Sequence, residues 1–223
     1  MIKRATLFFA FFLIVFGASL CDAAIPTVFR VPTSNKVIAL TFDDGPNERY
    51  TEQFLEVLRS EGVLASFFLL GKNVESHPKL VKKIEALGHD IGNHSYQHKS
   101  YLKLSSRDRL VDLAKSQRAF KSILGVYPKF FRPPFGDVSL RIKRQLAPYF
   151  ESTVLWDVDS SDSNMASTSK DIKNAVLQLV KPGSIILCHD NNDLTLRALK
   201  PIIKTLKRSG YRFITLSELI GGK

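Results

Sequence analysis

The chain has 223 residues, 44% of them hydrophobic and 24% charged, enough for one well-buried domain and for a single α/β barrel to use all of it. A formal charge of +11 fits either plain solubility or attraction to an anionic polymer surface. A nucleic-acid partner would need a groove-binding element or an aromatic platform, and the chain offers neither. Its two cysteines are Cys21 and Cys188. Cys21 lies at the edge of an N-terminal leader, so the pair does not make an internal disulfide framework.

The chain opens on the basic Met1-Ile2-Lys3-Arg4, continues as an apolar run over residues 5–20, and reaches the small residues Ala23 and Ala24. This is the order of a secretory signal peptide over residues 1–24; an uncleaved N-terminal anchor is the alternative. The run is shorter than the ~20 residues of a spanning helix. The reading predicts a secreted, periplasmic or cell-envelope protein. Leu20, a large residue, argues against lipid attachment at Cys21.

Residues 25–35, with Pro26 and Pro32, read as a short lead-in. A buried strand follows over 37–42, then a helix over 50–61 that Gly62 ends and a strand over 63–70. Pro78 opens a helix that stops at Gly88, and 89–91 is a short strand. Ser105 or Ser106 caps a long helix closed by Gly125. A strand over 129–131 breaks at Arg132-Pro133-Pro134. A helix over 139–146 and a strand over 152–156 come next. Ser169 caps a helix to 179, and Lys181-Pro182-Gly183 turns into a strand over 184–187. A helix over 194–208, kinked near Pro201, a strand over 211–215 and a short helix finish the chain. Alternating strands and helices predict a mostly parallel sheet. The number and shortness of the units favour an incomplete barrel, one domain over residues 25–223.

Polar clusters recur where strands end: Asp43-Asp44, His94 to His98, Arg132 to Gly136, residues 157–162 and His189-Asp190. The carboxyl ends of barrel strands share one rim, so five clusters would meet in one cleft. Neighbouring strand residues point to opposite faces, which predicts different surroundings for Asp43 and Asp44. His94 and His98 would share one face of a helical turn. With Asp44 they make two histidines and a carboxylate, the ligand count of a catalytic zinc site with an open position, whose water loses its proton near neutral pH. His77 and His89 lie outside the pattern and read as structural or surface residues. Trp156 reads as core packing and Cys188 as a small buried apolar residue.

Thr41-Phe42-Asp43-Asp44-Gly45-Pro46, His94-x-x-x-His98, Arg132-Pro133-Pro134-Phe135-Gly136, Asp159-x-x-Asp162 and Leu187-x-His189 resemble, in order and spacing, the five motifs of the NodB-type polysaccharide deacetylases, carbohydrate esterase family 4. The resemblance spans residue 37 to the C-terminus. It implies a distorted, incomplete (β/α) barrel and metal-dependent removal of acetyl groups from N-acetylated glycans. It implies Asp43 as general base, and Asp44, His94 and His98 as ligands of a divalent metal, zinc or alternatively cobalt. Arg132 would orient the base, the Phe135 backbone N–H would bind the oxyanion, and Leu187 would line the acetyl-methyl pocket. His189 would be the general acid, coupled to Asp162. Ser163 departs from the pattern: the family often has a tryptophan there, bordering the sugar groove.

The substrate reading is peptidoglycan first and chitin-type N-acetylglucosamine oligomers next. O-deacetylation of xylan or another acetylated polymer and a non-catalytic glycan-binding role are the alternatives. No stable protein partner is implied, and a monomer is expected.

Overall fold

The organising strand is β2 (Val37–Asp43), whose seven residues are all buried, as expected of a strand covered on both faces of a parallel sheet. Its side chains alternate. Ile38, Leu40 and Phe42 enter a core shared with the helices. Val37 and Ala39 enter an inner cluster with Phe68, Val154 and Ile185. The same parity turns Thr41 and Asp43 into the barrel.

The computed structural model describes residues 23–164 and 168–222. Around β2 lie β1 (Thr27–Val28), β3 (Ser66–Leu69), β4 (Asp90–Asn93), β5 (Phe130–Phe131), β6 (Ser152–Val154), β7 (Val158–Asp159), β8 (Ile185–His189) and β9 (Arg212–Phe213). They form one nine-stranded sheet in the order β1-β6-β5-β4-β3-β2-β8-β7, with β9 on the first residues of β2. The ladders are parallel. The sheet curls into a half-barrel whose path ends at β1 and β7, the incomplete barrel expected from the sequence. Its helices are α1 (Thr51–Ser60), α2 (Gly71–Ser76), α3 (Pro78–Ala86), α4 (Ser106–Leu124), α5 (Leu140–Leu146), α6 (Ser169–Leu179), α7 (Asp193–Arg208) and α8 (Leu216–Gly221). Among the described residues no helix is long and apolar enough to cross a membrane.

Local chemistry explains most boundaries. The Ser105 hydroxyl accepts from the Asp108 N–H to start α4, and Gly125 ends it at φ 73°, a conformation glycine adopts without strain. Three expectations are corrected. The lead-in is part of the sheet: β1 pairs with β6, and Val31 N–H reaches Gly183 O at 3.0 Å. The cap of α6 is Thr168, not Ser169, in a reciprocal capping box with Asp171. The strand expected over 152–156 is β6 alone, with β7 a separate piece on β8. The leader expected over residues 1–24, with Cys21, lies outside the described residues apart from Ala23 and Ala24.

Candidate metal centre and catalytic mouth

Asp43 ends β2 facing inwards, where Arg132 meets it. Arg132 Nη1 donates to Asp43 Oδ1 at 2.6 Å and to Thr41 Oγ1 at 2.8 Å. Arg132 is wholly buried. Its Nε and Nη2 donate to the carbonyls of Val154 and Leu155 at 3.0 and 3.1 Å, and its guanidinium lies 4.1 Å from the Phe68 ring centre and 5.6 Å from that of Trp156. Burial pulls the guanidinium pKa below its usual value, and the Asp43 charge opposes that shift. A buried charge so fully hydrogen-bonded holds the carboxylate in one orientation.

Asp44 departs from the strand pattern. Its φ is 72°, so its side chain does not continue to the opposite face but turns back to the same histidine as Asp43. Asp44 Oδ1 lies 3.7 Å from His94 Nε2 and 3.5 Å from His98 Nε2, and Asp43 Oδ2 lies 3.6 Å from His94 Nε2. The expectation of different faces was wrong because it assumed extended backbone at residue 44. Their surroundings still differ: the Asp43 side chain is 4% exposed and that of Asp44 26%. On the far side, Asn73 Nδ2 donates to Asp44 O at 2.7 Å and Leu70 N–H to Gly45 O at 2.9 Å.

His94 and His98 do not share a helical turn. They lie in the loop after β4, with Ser95 at φ 72° and His98 at φ 58°. Side chains hold this loop. Asn93 Oδ1 accepts from Ser95 N–H and from Ser116 Oγ, both at 2.8 Å; Ser95 Oγ accepts from His98 N–H at 3.0 Å; Asp112 Oδ1 accepts from Tyr96 N–H at 3.0 Å. His94 Nδ1 lies 2.6 Å from Arg132 O. A carbonyl only accepts, so Nδ1 carries a proton and Nε2 is the nitrogen that faces Asp44. Burial is the largest cause lowering the His98 pKa, which favours the neutral form that a metal needs.

These atoms fit a metal. Ligand atoms of Asp44, His94 and His98 lie within 4.8 Å of one another, and Asp44 Oδ1 is buried with no hydrogen-bond partner. An orphaned carboxylate oxygen facing two imidazole nitrogens is costly unless a cation completes it.

His189 ends β8 as the parallel neighbour of Asp43. Its Nδ1 meets Asp162 Oδ1 at 2.7 Å, and Asp162 Oδ2 accepts from His189 N–H and from Thr195 Oγ1, both at 2.7 Å. Burial works against a charged His189. The Asp162 hydrogen bond and charge, with Asp43 and Asp44, outweigh it and raise the pKa to about 9. Asp159 Oδ1 accepts from Ser161 N–H at 2.7 Å, shaping the turn that delivers Asp162. Leu187 faces inwards two residues before His189 and is buried. Phe135, at φ 61° in the single turn Pro134–Gly136, is 67% exposed, with its ring 4.6 Å from that of His98.

Asp44, Ser95, His98, Phe135 and Ser161 are the non-glycine residues with positive φ among those described. All five lie in loops of this mouth, where backbone strain tends to collect. Asp157, grouped with the mouth by sequence, does not belong to it: its carboxylate accepts from Ser184 Oγ and Ile185 N–H at the start of β8. His89 is structural, its Nδ1 accepting from Ala65 N–H at 3.1 Å. Residues outside the motifs are Asn73, Asp112, Ser116 and Thr195, which hold the loops of the mouth; Thr41, inside the first motif, was given no role by it. Thr195, three residues past the α7 cap Asn192, carried a signal only as a capping position.

The model of the family described as polysaccharide deacetylase matches residues 30–149. A peptidoglycan-N-acetylglucosamine deacetylase of Bacillus cereus is 38% identical over 197 residues, covering 86% of this chain and 92% of that protein. The peptidoglycan-N-acetylmuramic acid deacetylase PdaC of Bacillus subtilis is 34% identical over 196 residues, covering 88% of this chain and 41% of that protein. The crystal structure of the Bc1960 peptidoglycan N-acetylglucosamine deacetylase superposes with a TM-score of 0.83 at 36% identity, covering 87% of this chain and 92% of that one.

Proposed function

The chain belongs to the polysaccharide deacetylase family, and on that premise we propose that it hydrolyses the acetamide of N-acetylated glycans, with cell-wall peptidoglycan as substrate and zinc as its cation. As a member it is a polysaccharide N-deacetylase. The observation that carries the reading is the meeting, at one end of the barrel, of the Asp44–His94–His98 cluster, the Asp43–Arg132 pair and the His189–Asp162 pair.

Asp44 Oδ1, His94 Nε2 and His98 Nε2 would hold the cation. When bound, a divalent cation supplies Lewis-acid polarisation of the acetyl carbonyl and makes a water more acidic. Asp43, fixed by Arg132, takes the proton from the attacking water. The Phe135 backbone N–H donates to the oxyanion as the carbonyl becomes tetrahedral. Leu187 lines the pocket for the acetyl methyl. His189 gives its Nε2 proton to the departing amine, and Asp162 holds the ring in the orientation for that transfer. Acetate and the free amine leave.

Two imidazoles and one carboxylate with an open position suit zinc, and cobalt can take the same ligands. The names of the similar proteins support peptidoglycan. The leader of residues 1–24 would export the chain to the periplasm, cell envelope or medium, or anchor it if uncleaved, and the +11 charge suits an anionic wall. The protein acts as a monomer, with the glycan as its partner.

The test is acetate release from peptidoglycan, chitin oligomers and acetylxylan, with and without chelator. Chelator-sensitive release from peptidoglycan is expected. Release from acetylxylan alone would make the protein an O-acetyl esterase. Glycan binding without release would make it a non-catalytic binder.

A further inference from the structure

Asp190 follows His189, and its side chain is wholly enclosed. Oδ2 accepts from Thr51 Oγ1 at 2.5 Å, and Thr51 Oγ1 itself accepts from Asn47 N–H at 2.6 Å. Oδ1 is buried with no hydrogen-bond partner. A buried acceptor left unpaired is unfavourable, so the place of this carboxyl in the fold calls for a role.

The carboxyl lies against the turn that follows Asp43-Asp44. A Cβ on Gly45 would lie 2.8 Å from both Asp190 oxygens. The φ of Gly45 is outside the left-handed region, and the three nearest atoms that a side chain there would meet all belong to the Asp190 carboxyl. Asn73 and Leu70 grip the same turn from the α2 side. The turn is therefore held on two flanks, and between them Asp44 keeps its φ of 72°.

We propose that Asp190 is a positioning residue for the metal centre. Packed against Gly45 and steadied by Thr51, it fixes the turn that aims Asp44 Oδ1 at His94 and His98. The inference rests on the reading of those three residues as metal ligands. Asp190 touches neither substrate nor cation; it acts through Gly45.

The test compares wild type, Gly45→Ala, Asp190→Ala and the double variant for zinc affinity, by competition with a chromogenic chelator, and for kcat and KM separately. Each single variant should weaken zinc binding about tenfold or more, as loss of outer-shell support does, and lower kcat with KM little changed. In the double variant the new methyl enters the space the carboxyl vacated, so its losses should fall short of the product of the two single effects. Multiplicative losses, or an Asp190→Ala protein with native zinc affinity and kcat, would overturn the proposal. Thr51→Val removes the donor to Oδ2 together with the acceptor of Asn47 N–H, two residues beyond Gly45. If Asp190→Ala fails to fold, Thr51→Val must show the same loss of zinc affinity, and native affinity there would overturn the proposal equally. A wild-type protein that binds no zinc and releases no acetate would instead remove the reading of the metal site itself.

Discussion

Asp43 and His189 are paired neighbours at the ends of the adjacent parallel strands β2 and β8, and strand alternation turns both into the barrel. The proposed base and the proposed acid thus stand one strand spacing apart, each with its own buried partner, Arg132 for one and Asp162 for the other. The division of labour follows: the group held by a cation stays an acceptor, and the group held by an anion keeps a proton to give.

Asp43→Asn should keep the metal and lose turnover. The amide cannot take a proton from water, and loss of a positioned base typically costs a factor of about a hundred to ten thousand. Zinc affinity should stay near native, because Asp43 is not one of the three proposed ligands. The same change leaves Arg132 buried without its counter-charge, so the melting temperature should fall. Breaking a buried pair costs about 3–5 kcal/mol when the remaining charge is uncompensated, and the amide oxygen, still able to accept from Arg132 Nη1, should hold the loss below that range. Acetate release, chelator competition and a thermal melt check the three outcomes; near-native rates would remove Asp43 as the base.

His94→Ala should lose both metal and turnover. Chelation should abolish wild-type activity, zinc or cobalt should restore it, and neither should rescue the variant. The Nδ1 contact with Arg132 O disappears with the ring, so the loop after β4 should also become more susceptible to proteolysis. A variant that still binds zinc with native affinity would contradict the ligand assignment.

The His189–Asp162 pair sets the alkaline side. Its raised value, about 9, lies above the ordinary 6.5, so its stabilising effect is complete below about pH 6.5 and is lost as pH rises through about 9. Metal-free protein should therefore melt at lower temperature as pH climbs through that window. Turnover should decline on the same side if His189 is the acid that protonates the amine. Asp162→Asn removes the strongest influence favouring the imidazolium, so both declines should move to lower pH. A cation bound at Asp44 also opposes the imidazolium, and the alkaline limb of the loaded enzyme should lie below that of the metal-free melt. An Asp162→Asn profile superimposable on wild type would disprove the coupling.

The site's principal side chains were legible in the sequence because each sits in a short motif where an apolar run stops. Alternation along β2 and β8, once the two strands pair in register, turns Asp43, Leu187 and His189 to one face. The strand ends were less legible. Nothing in Asp43-Asp44 announces that a non-glycine takes φ 72°, and nothing in His94-x-x-x-His98 distinguishes a looped pair from a helical one. Both depend on partners far along the chain, Asn73 and Ser116 among them. A buried serine or asparagine has the same local appearance as a surface one. β1 was missed for a similar reason: two residues carry no periodicity, and only β6 makes them a strand.

Cys188 tests the fold's parity. It lies between two inward-facing residues of β8, so it faces the helices and joins the outer core. It is buried, and burial pushes its thiol well above the usual range. A thiol in that state is neither nucleophile nor ligand. Alkylating reagents should leave native turnover unchanged while labelling Cys188 only after unfolding. Cys188→Ala should keep kcat and zinc affinity and lower stability by about 1 kcal/mol, the scale of a small buried group lost from a packed core. Cys188→Ser should cost more, because a hydroxyl there must find a partner or be buried without one. Mass spectrometry of the native alkylated protein, read beside its acetate release, decides the matter: rapid labelling with loss of turnover would mean that β8 presents the opposite face to the mouth and that His189 does not.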